Sequence, residues 1–291
     1  MSNFRGIWVA LATPFHSGHV DFDALEGLVK TLLSGGVRGL VVCGTTGEAA
    51  AMNKDEQLEV LDAVLQIARP DQVIMGLSAN NLQEALAFQQ KIQSRDIAGV
   101  LVPAPYYIRP SQQGIESFFQ TVADASSVPV VLYDIPYRTG VRIERETLRR
   151  IVRHPKIAAV KDCGGDVETT MALIEDGNAE ILTGEDIQIF TNLALGGAGA
   201  ISASAHIRPN LYVQMMQEMD RGDVICARAT FYRLLPWIKM AFAEPNPAVI
   251  KAALSINGLI SNELREPMQT CSSTTMERLR SVLSDLTCQS A

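Results

Sequence analysis

Hydrophobic and polar positions alternate between two textures along this chain. Short runs of consecutive apolar residues recur, and each is followed by a longer stretch with apolar positions at helical spacing. The runs predict strands over 7–12, 39–43, 73–77, 99–102, 128–133, 157–161, 180–183 and 199–202. The helical stretches fall over 23–34, 54–68, 82–93, 112–125, 144–152, 167–175, 187–195 and 210–219. In 54–68 the predicted apolar face is Leu58, Leu61, Val64, Leu65 and Ala68; Gly35-Gly36 stops the first helix. Continuous rather than alternating apolar strands imply burial on both faces, the mark of a parallel sheet, and parallel strands need crossovers such as these helices. Eight such units predict an α/β fold, a (β/α)8 TIM barrel. An open doubly wound sheet is the alternative, but no Gly-x-Gly-x-x-Gly turn follows the first strand.

After residue 222 the strands stop. Helical spacing alone continues over 224–242, 248–257 and 274–286. The chain therefore divides into a barrel, 1–222, and a C-terminal helical extension, 223–291, packed on it and read as serving packing and assembly.

The 291 residues are 47% hydrophobic, enough for a sizeable core, and the net charge of -7 argues against a nucleic-acid partner. Five cysteines are scattered, and His16 and His19 have no ligand cluster around them, so no disulfide framework, metal or cofactor is expected. The apolar run over 7–12 is cut by Pro14 and is too brief for a signal peptide or a membrane span. The default is a soluble cytoplasmic protein.

Chemistry enters with residues 157–162, Ile-Ala-Ala-Val-Lys-Asp. A lysine at the end of an apolar strand is unusual unless it is paired or used. Removed from water, its amine is favoured in the neutral form, which attacks carbonyls to give a Schiff base. The plainer reading is a lysine that reaches water or pairs with a carboxylate such as Asp162. Lys30, Lys54, Lys91, Lys239 and Lys251 sit in helical patterns, where a solvated tip is ordinary.

In such a barrel the C-terminal ends of the strands share one mouth. There the sequence places Gly44-Thr45-Thr46-Gly47-Glu48, Pro105-Tyr106-Tyr107, Tyr133 with Tyr137-Arg138-Thr139, Lys161, Gly184-Glu185-Asp186 and Ser202. Taken singly, the glycine-threonine segment is a tight turn or a carboxylate cradle. The Tyr106-Tyr107 pair reads as packing, Arg138 as a surface ion-pair partner, and Glu48, Glu185 and Asp186 as helix N-terminal residues. Gly196-Gly197-Ala198-Gly199 precedes the eighth strand, at the wrong end for a phosphate site, and reads as a turn. Together the pieces suit an α-keto acid that condenses with Lys161 and becomes an enamine.

These segments, with Arg109-Pro110, Pro136, Gly140, Val160 and Glu244-Pro245-Asn246-Pro247, occur in an order and spacing that resembles the class I pyruvate-dependent aldolases of the N-acetylneuraminate lyase family. Within them the chain is most similar to the dihydrodipicolinate synthases, over nearly its whole length. The resemblance implies that Lys161 forms the Schiff base with pyruvate and that Tyr133 is its general acid and base. It implies a hydroxyl relay of Thr45 and Tyr107, the latter reaching in from a neighbouring subunit of a homotetramer, a dimer of dimers. Thr46 would hold the pyruvate carboxylate, Ile201 and Gly184 would line the substrate site, and Arg138 would bind the carboxylate of L-aspartate 4-semialdehyde. The activity implied is condensation of these two substrates on the way to diaminopimelate and lysine. Asp134, Tyr137, Cys163-Gly164-Gly165 and His206 depart from the family pattern. They leave open a sister aldolase that takes a sugar acid or hydroxy-oxoglutarate, and, more remotely, a binding protein that kept the fold. Asn80, Glu84 and Tyr106 match the lysine-binding interface of some members, whereas Ala49, Lys54 and Gln57 do not, so inhibition by lysine is expected to be weak or absent.

Overall fold

The computed structural model describes residues 4–288. The outermost residues of both predicted segments, 1–3 and 289–291, lie outside the described residues, as do the side chains of Thr287 and Cys288. Eight parallel strands form the sheet: β1 (Gly6–Ala10), β2 (Gly39–Val42), β3 (Val73–Gly76), β4 (Gly99–Pro103), β5 (Val130–Asp134), β6 (Ile157–Asp162), β7 (Glu180–Thr183) and β8 (Gly199–Ser202). They follow one another in sequence order around a closed barrel. By contacts the chain resolves into two compact units, residues 4–6 with Pro70–Ile201, and Ile7–Arg69 with residues 202–288.

In the first unit β4, β5, β6 and β7 lie side by side in parallel register. Their residues are almost all buried, as continuous apolar runs require. β5 begins at Val130, two residues later than its apolar run, because Pro129 has no N–H to give to the ladder. Val130 makes the first donation, to the Lys156 carbonyl at 2.8 Å. Beyond β5 a four-residue helix, Pro136–Thr139, was not apparent in the apolar pattern. Its signal is Pro136 at the first turn and Gly140, at φ 76°, closing it.

In the second unit a small hairpin, Phe15–His16 with His19–Val20, carries the two neighbouring histidines. The helix predicted over 54–68 runs Lys54–Leu65, and its buried stripe is Gln57, Val60, Leu61 and Val64 rather than Leu58 and Leu65. Gln57 is tolerated there because its amide donates to the Ala49 and Met52 carbonyls. Helices Val224–Ala241, Ala248–Ile256 and Ser273–Cys288 end the chain. Trp237, fully buried on the first of them, donates its indole N–H to the Ser204 carbonyl at 2.8 Å.

The helix Ala248–Ile256 corrects one reading. Lys251 is not a solvated lysine; it is 0% exposed. Its helix is apolar on every side, so the side chain has no path to water, and it forms an ion pair with Glu48. No described helix is long and apolar enough to cross a membrane.

Candidate active site

Parallel pairing puts Tyr133 of β5 level with Lys161 of β6, and Asp134 level with Asp162. Side chains alternate along a strand, so Tyr133 and Lys161 share one face. The Lys161 Nζ lies 4.2 Å from the centre of the Tyr133 ring. Lys161 is only 6% exposed and, among the described residues, makes no ion pair. Burial holds its ammonium below the ordinary lysine value, against the opposing pull of Cys163, Asp186 and Glu185; Arg138 adds to the depression. Burial, then Cys163 and Tyr137, push the Tyr133 phenol well above its usual value. Tyr133 is therefore a neutral O–H group beside an amine biased towards its neutral form, a donor next to a nucleophile.

Room above the amine comes from Gly184, at the end of β7. A Cβ there would sit 2.6 Å from Lys161 Cε and closer still to Cys163 Sγ. Cys163 is buried there, and that burial pushes its thiol well above its usual value.

The short helix Pro136–Thr139 presents two exposed side chains. The Arg138 guanidinium lies 5.9 Å from the centre of the Tyr137 ring, and the Tyr137 hydroxyl donates to Glu185 Oε1 at 3.0 Å. Glu185 stands at the N-terminus of the short helix after it, as the sequence predicts; its carboxylate makes no cap bond there and accepts from Tyr137. A cleft of about 490 Å³ opens here, bounded by Pro136, Tyr137, Cys163, Asp166, Glu185 and Ile187. Sequence order alone gave no signal for the Tyr137–Glu185 contact.

Tyr106 donates its N–H to Asn80 Oδ1 at 2.9 Å, and Glu84 is an exposed residue in the first turn of the helix that follows Asn80. Tyr107 has a positive φ of 70° and gives its N–H to the Thr139 carbonyl, yet its side chain is 87% exposed. Tyr106 and Tyr107 are thus not a packing pair. Ile201 is buried in β8.

In the second unit Thr45 and Thr46 lie in the turn after β2. Glu48 N–H closes the turn on the Thr45 carbonyl at 3.1 Å, and Thr46 Oγ1 accepts from Asn246 Nδ2 at 2.9 Å. Glu48 stands at the N-terminus of the short helix Ala49–Ala51, as the sequence predicts, but its carboxylate makes no cap bond and turns inward to Lys251. His206 is a satisfied core histidine. Nε2 accepts from the Ala12 N–H at 3.0 Å, which leaves Nδ1 to donate to the Ala203 carbonyl, and burial lowers its pKa to about 4.

One residue further along each of β5 and β6 from Tyr133 and Lys161, on the opposite face, lies a pair of carboxylates. Asp162 accepts from the Gly164 N–H and the Thr170 hydroxyl. Asp134 is 4% exposed and is pushed up to about 7 by burial and then by Asp162, with Arg142 opposing. Its folded value lies above its unfolded one, so the folded state holds the extra proton, and stability from this group falls as pH rises towards 7. At about 1.4 kcal/mol per pH unit, the displacement from the ordinary carboxylate value amounts to roughly 4 kcal/mol. Asp134→Asn is therefore expected to be more stable than the parent at pH 8 and to lose that advantage towards pH 4. Equilibrium urea unfolding across this range checks it, and equal stabilities at pH 8 would contradict it.

A buried, unpaired lysine beside a tyrosine on adjacent strands of a parallel barrel is the arrangement of a Schiff-base aldolase. The sequence matches the model of the Dihydrodipicolinate synthetase family over residues 3–286. It is 37% identical to a 4-hydroxy-tetrahydrodipicolinate synthase of Leptospira biflexa over 92% of each chain. The fold superposes on the crystal structure of dihydrodipicolinate synthase from Thermotoga maritima with a TM-score of 0.95 at 32% identity, covering 98% of this chain and 99% of that one. The chloride-inhibited dihydrodipicolinate synthase from Acinetobacter baumannii, complexed with pyruvate, gives 0.95 at 30%, covering 98% and 99%. The chain belongs to the dihydrodipicolinate synthetase family, enzymes that act on pyruvate through a Schiff base.

Proposed function

We propose that this chain condenses pyruvate with L-aspartate 4-semialdehyde, giving 4-hydroxy-tetrahydrodipicolinate in lysine and diaminopimelate biosynthesis. The observation that carries the proposal is Lys161, buried and unpaired with its Nζ over the Tyr133 ring. The neutral amine adds to the pyruvate carbonyl, and Tyr133 supplies the proton that lets water leave as the iminium forms. Loss of a methyl proton gives the enamine, which attacks the aldehyde carbon. The new alkoxide takes a proton, and the amino group of the adduct then displaces Lys161 as the ring closes.

The remaining roles follow from family membership. Thr45 and Tyr107 relay protons to and from Tyr133, Thr46 holds the pyruvate carboxylate, Ile201 contacts pyruvate, and Gly184 leaves room for it. The exposure of Tyr107 supports its insertion into a neighbouring subunit of a homotetramer. We assign the chain to the cytoplasm, where such biosynthesis takes place, divide it into the barrel 1–222 and the extension 223–291, and expect at most weak inhibition by lysine through Asn80, Glu84 and Tyr106.

Arg138 carries the choice of aldehyde, since a guanidinium pairs bidentately with a carboxylate. Arg138→Leu is expected to raise the KM for aspartate semialdehyde by roughly 10–100-fold and to leave the KM for pyruvate within about twofold. Steady-state assays with each substrate varied in turn test this. A wild-type preference for a sugar-acid aldehyde or a hydroxy-oxoglutarate would favour the sister aldolase instead.

A further inference from the structure

The turn over 44–48 has no strand or helix of its own, and at its end Glu48 takes up the left-handed region at φ 53°. A residue with a side chain enters that region at a cost and stays only where its surroundings hold it. Here the helical extension does the holding, entirely within the second unit. Lys251 pairs with Glu48 Oε1, and the Arg265 N–H donates to Glu48 Oε2 at 3.0 Å. Lys251 also donates to the Glu263 carbonyl at 2.8 Å. The Arg265 guanidinium donates to the Ala51 and Gly18 carbonyls and to both oxygens of Glu56. Phe15 contacts both cations, 4.1 Å from Lys251 Nζ and 4.5 Å from Arg265 Cζ to the ring centre. Two buried lysines thus have opposite settings: Lys161 has no ion-pair partner among the described residues, and Lys251 is spent on one.

We propose that Lys251 is a positioning residue for the pyruvate carboxylate. Through Glu48 it locks the turn that presents the N–H and hydroxyl of Thr46. The helical extension is then part of the substrate-binding apparatus as well as a packing element. The inference rests on the reading of the 44–48 turn as the carboxylate holder.

A buried ion pair broken on one side leaves an uncompensated charge, whereas neutralising both sides removes that penalty. The two cases separate positioning from folding. Lys251→Met is expected to raise the KM for pyruvate about tenfold or more, and to slow borohydride-trappable adduct formation at low pyruvate, with the aldehyde KM within about twofold of wild type. The double variant Glu48→Gln/Lys251→Met removes both charges. It is expected to melt near the wild-type temperature and still to show the raised pyruvate KM, because no charge link holds the turn. If Lys251→Met fails to fold, the double variant decides. A folded double variant whose pyruvate KM and trapping rate match wild type would overturn the inference while leaving the Schiff-base reading intact. A wild-type protein that traps no pyruvate on Lys161 would overturn both.

Discussion

Lys161→Met is expected to lower aldol condensation by at least about 10⁴-fold while making the protein more stable. The activity falls because the amine that forms the covalent adduct is gone. Lys251, the other buried lysine, is held in its ion pair with Glu48. Stability rises because a nearly isosteric apolar side chain replaces an amine that is 6% exposed and has no ion-pair partner. A gain of about 1–2 kcal/mol is expected, visible at this chain length as a few degrees in Tm. Calorimetry alongside a condensation assay checks both halves. A less stable Lys161→Met would mean that the ammonium contributes to the fold and that the amine is not set aside for chemistry.

The second large effect is at Gly184. Its φ is ordinary, so alanine brings no backbone strain, only a methyl group. That methyl would lie 2.6 Å from Lys161 Cε and 3.0 Å from Cγ, and closer still to the Cys163 sulfur. Overpacking of this kind costs roughly 1–3 kcal/mol of stability. Because the atom displaced carries the nucleophile, activity is expected to fall about 100-fold, out of proportion to the stability loss. Pairing Gly184→Ala with Cys163→Ala relieves the contact with sulfur and leaves the contact with Lys161. The double variant should recover stability more than activity. Recovery of both together would place the clash on the thiol alone.

Much of the fold was legible because the barrel strands are buried on both faces and so read as unbroken apolar runs, each followed by a helical spacing. Lys161 stood out for the same reason, as a lysine inside such a run. What escaped depends on partners remote in sequence. Lys251 sits at ordinary helical spacing; its burial is apparent only once Glu48, from the opposite end of the chain, lies against it. Glu48 and Glu185 each stand at the start of a short helix, as predicted, but the partners of their carboxylates, Lys251 and Tyr137, are remote in sequence. The hairpin at Phe15–Val20 has strands of only two residues, too short for alternation to register. His206 departs from the family pattern, yet its ring is consumed by two backbone groups, so its departure concerns packing. The departures at Tyr137 and Cys163 are different in kind, since both border the cleft that Glu185 also lines.

The account rests on one covalent bond, and it can be weighed directly. The protein is incubated with pyruvate, reduced with borohydride, digested, and its peptides are measured by mass spectrometry. The predicted result is a single reduced pyruvate adduct on the peptide that carries Lys161, absent from Lys161→Met. No mass gain, or a gain carried by Lys251 or another lysine, would contradict it.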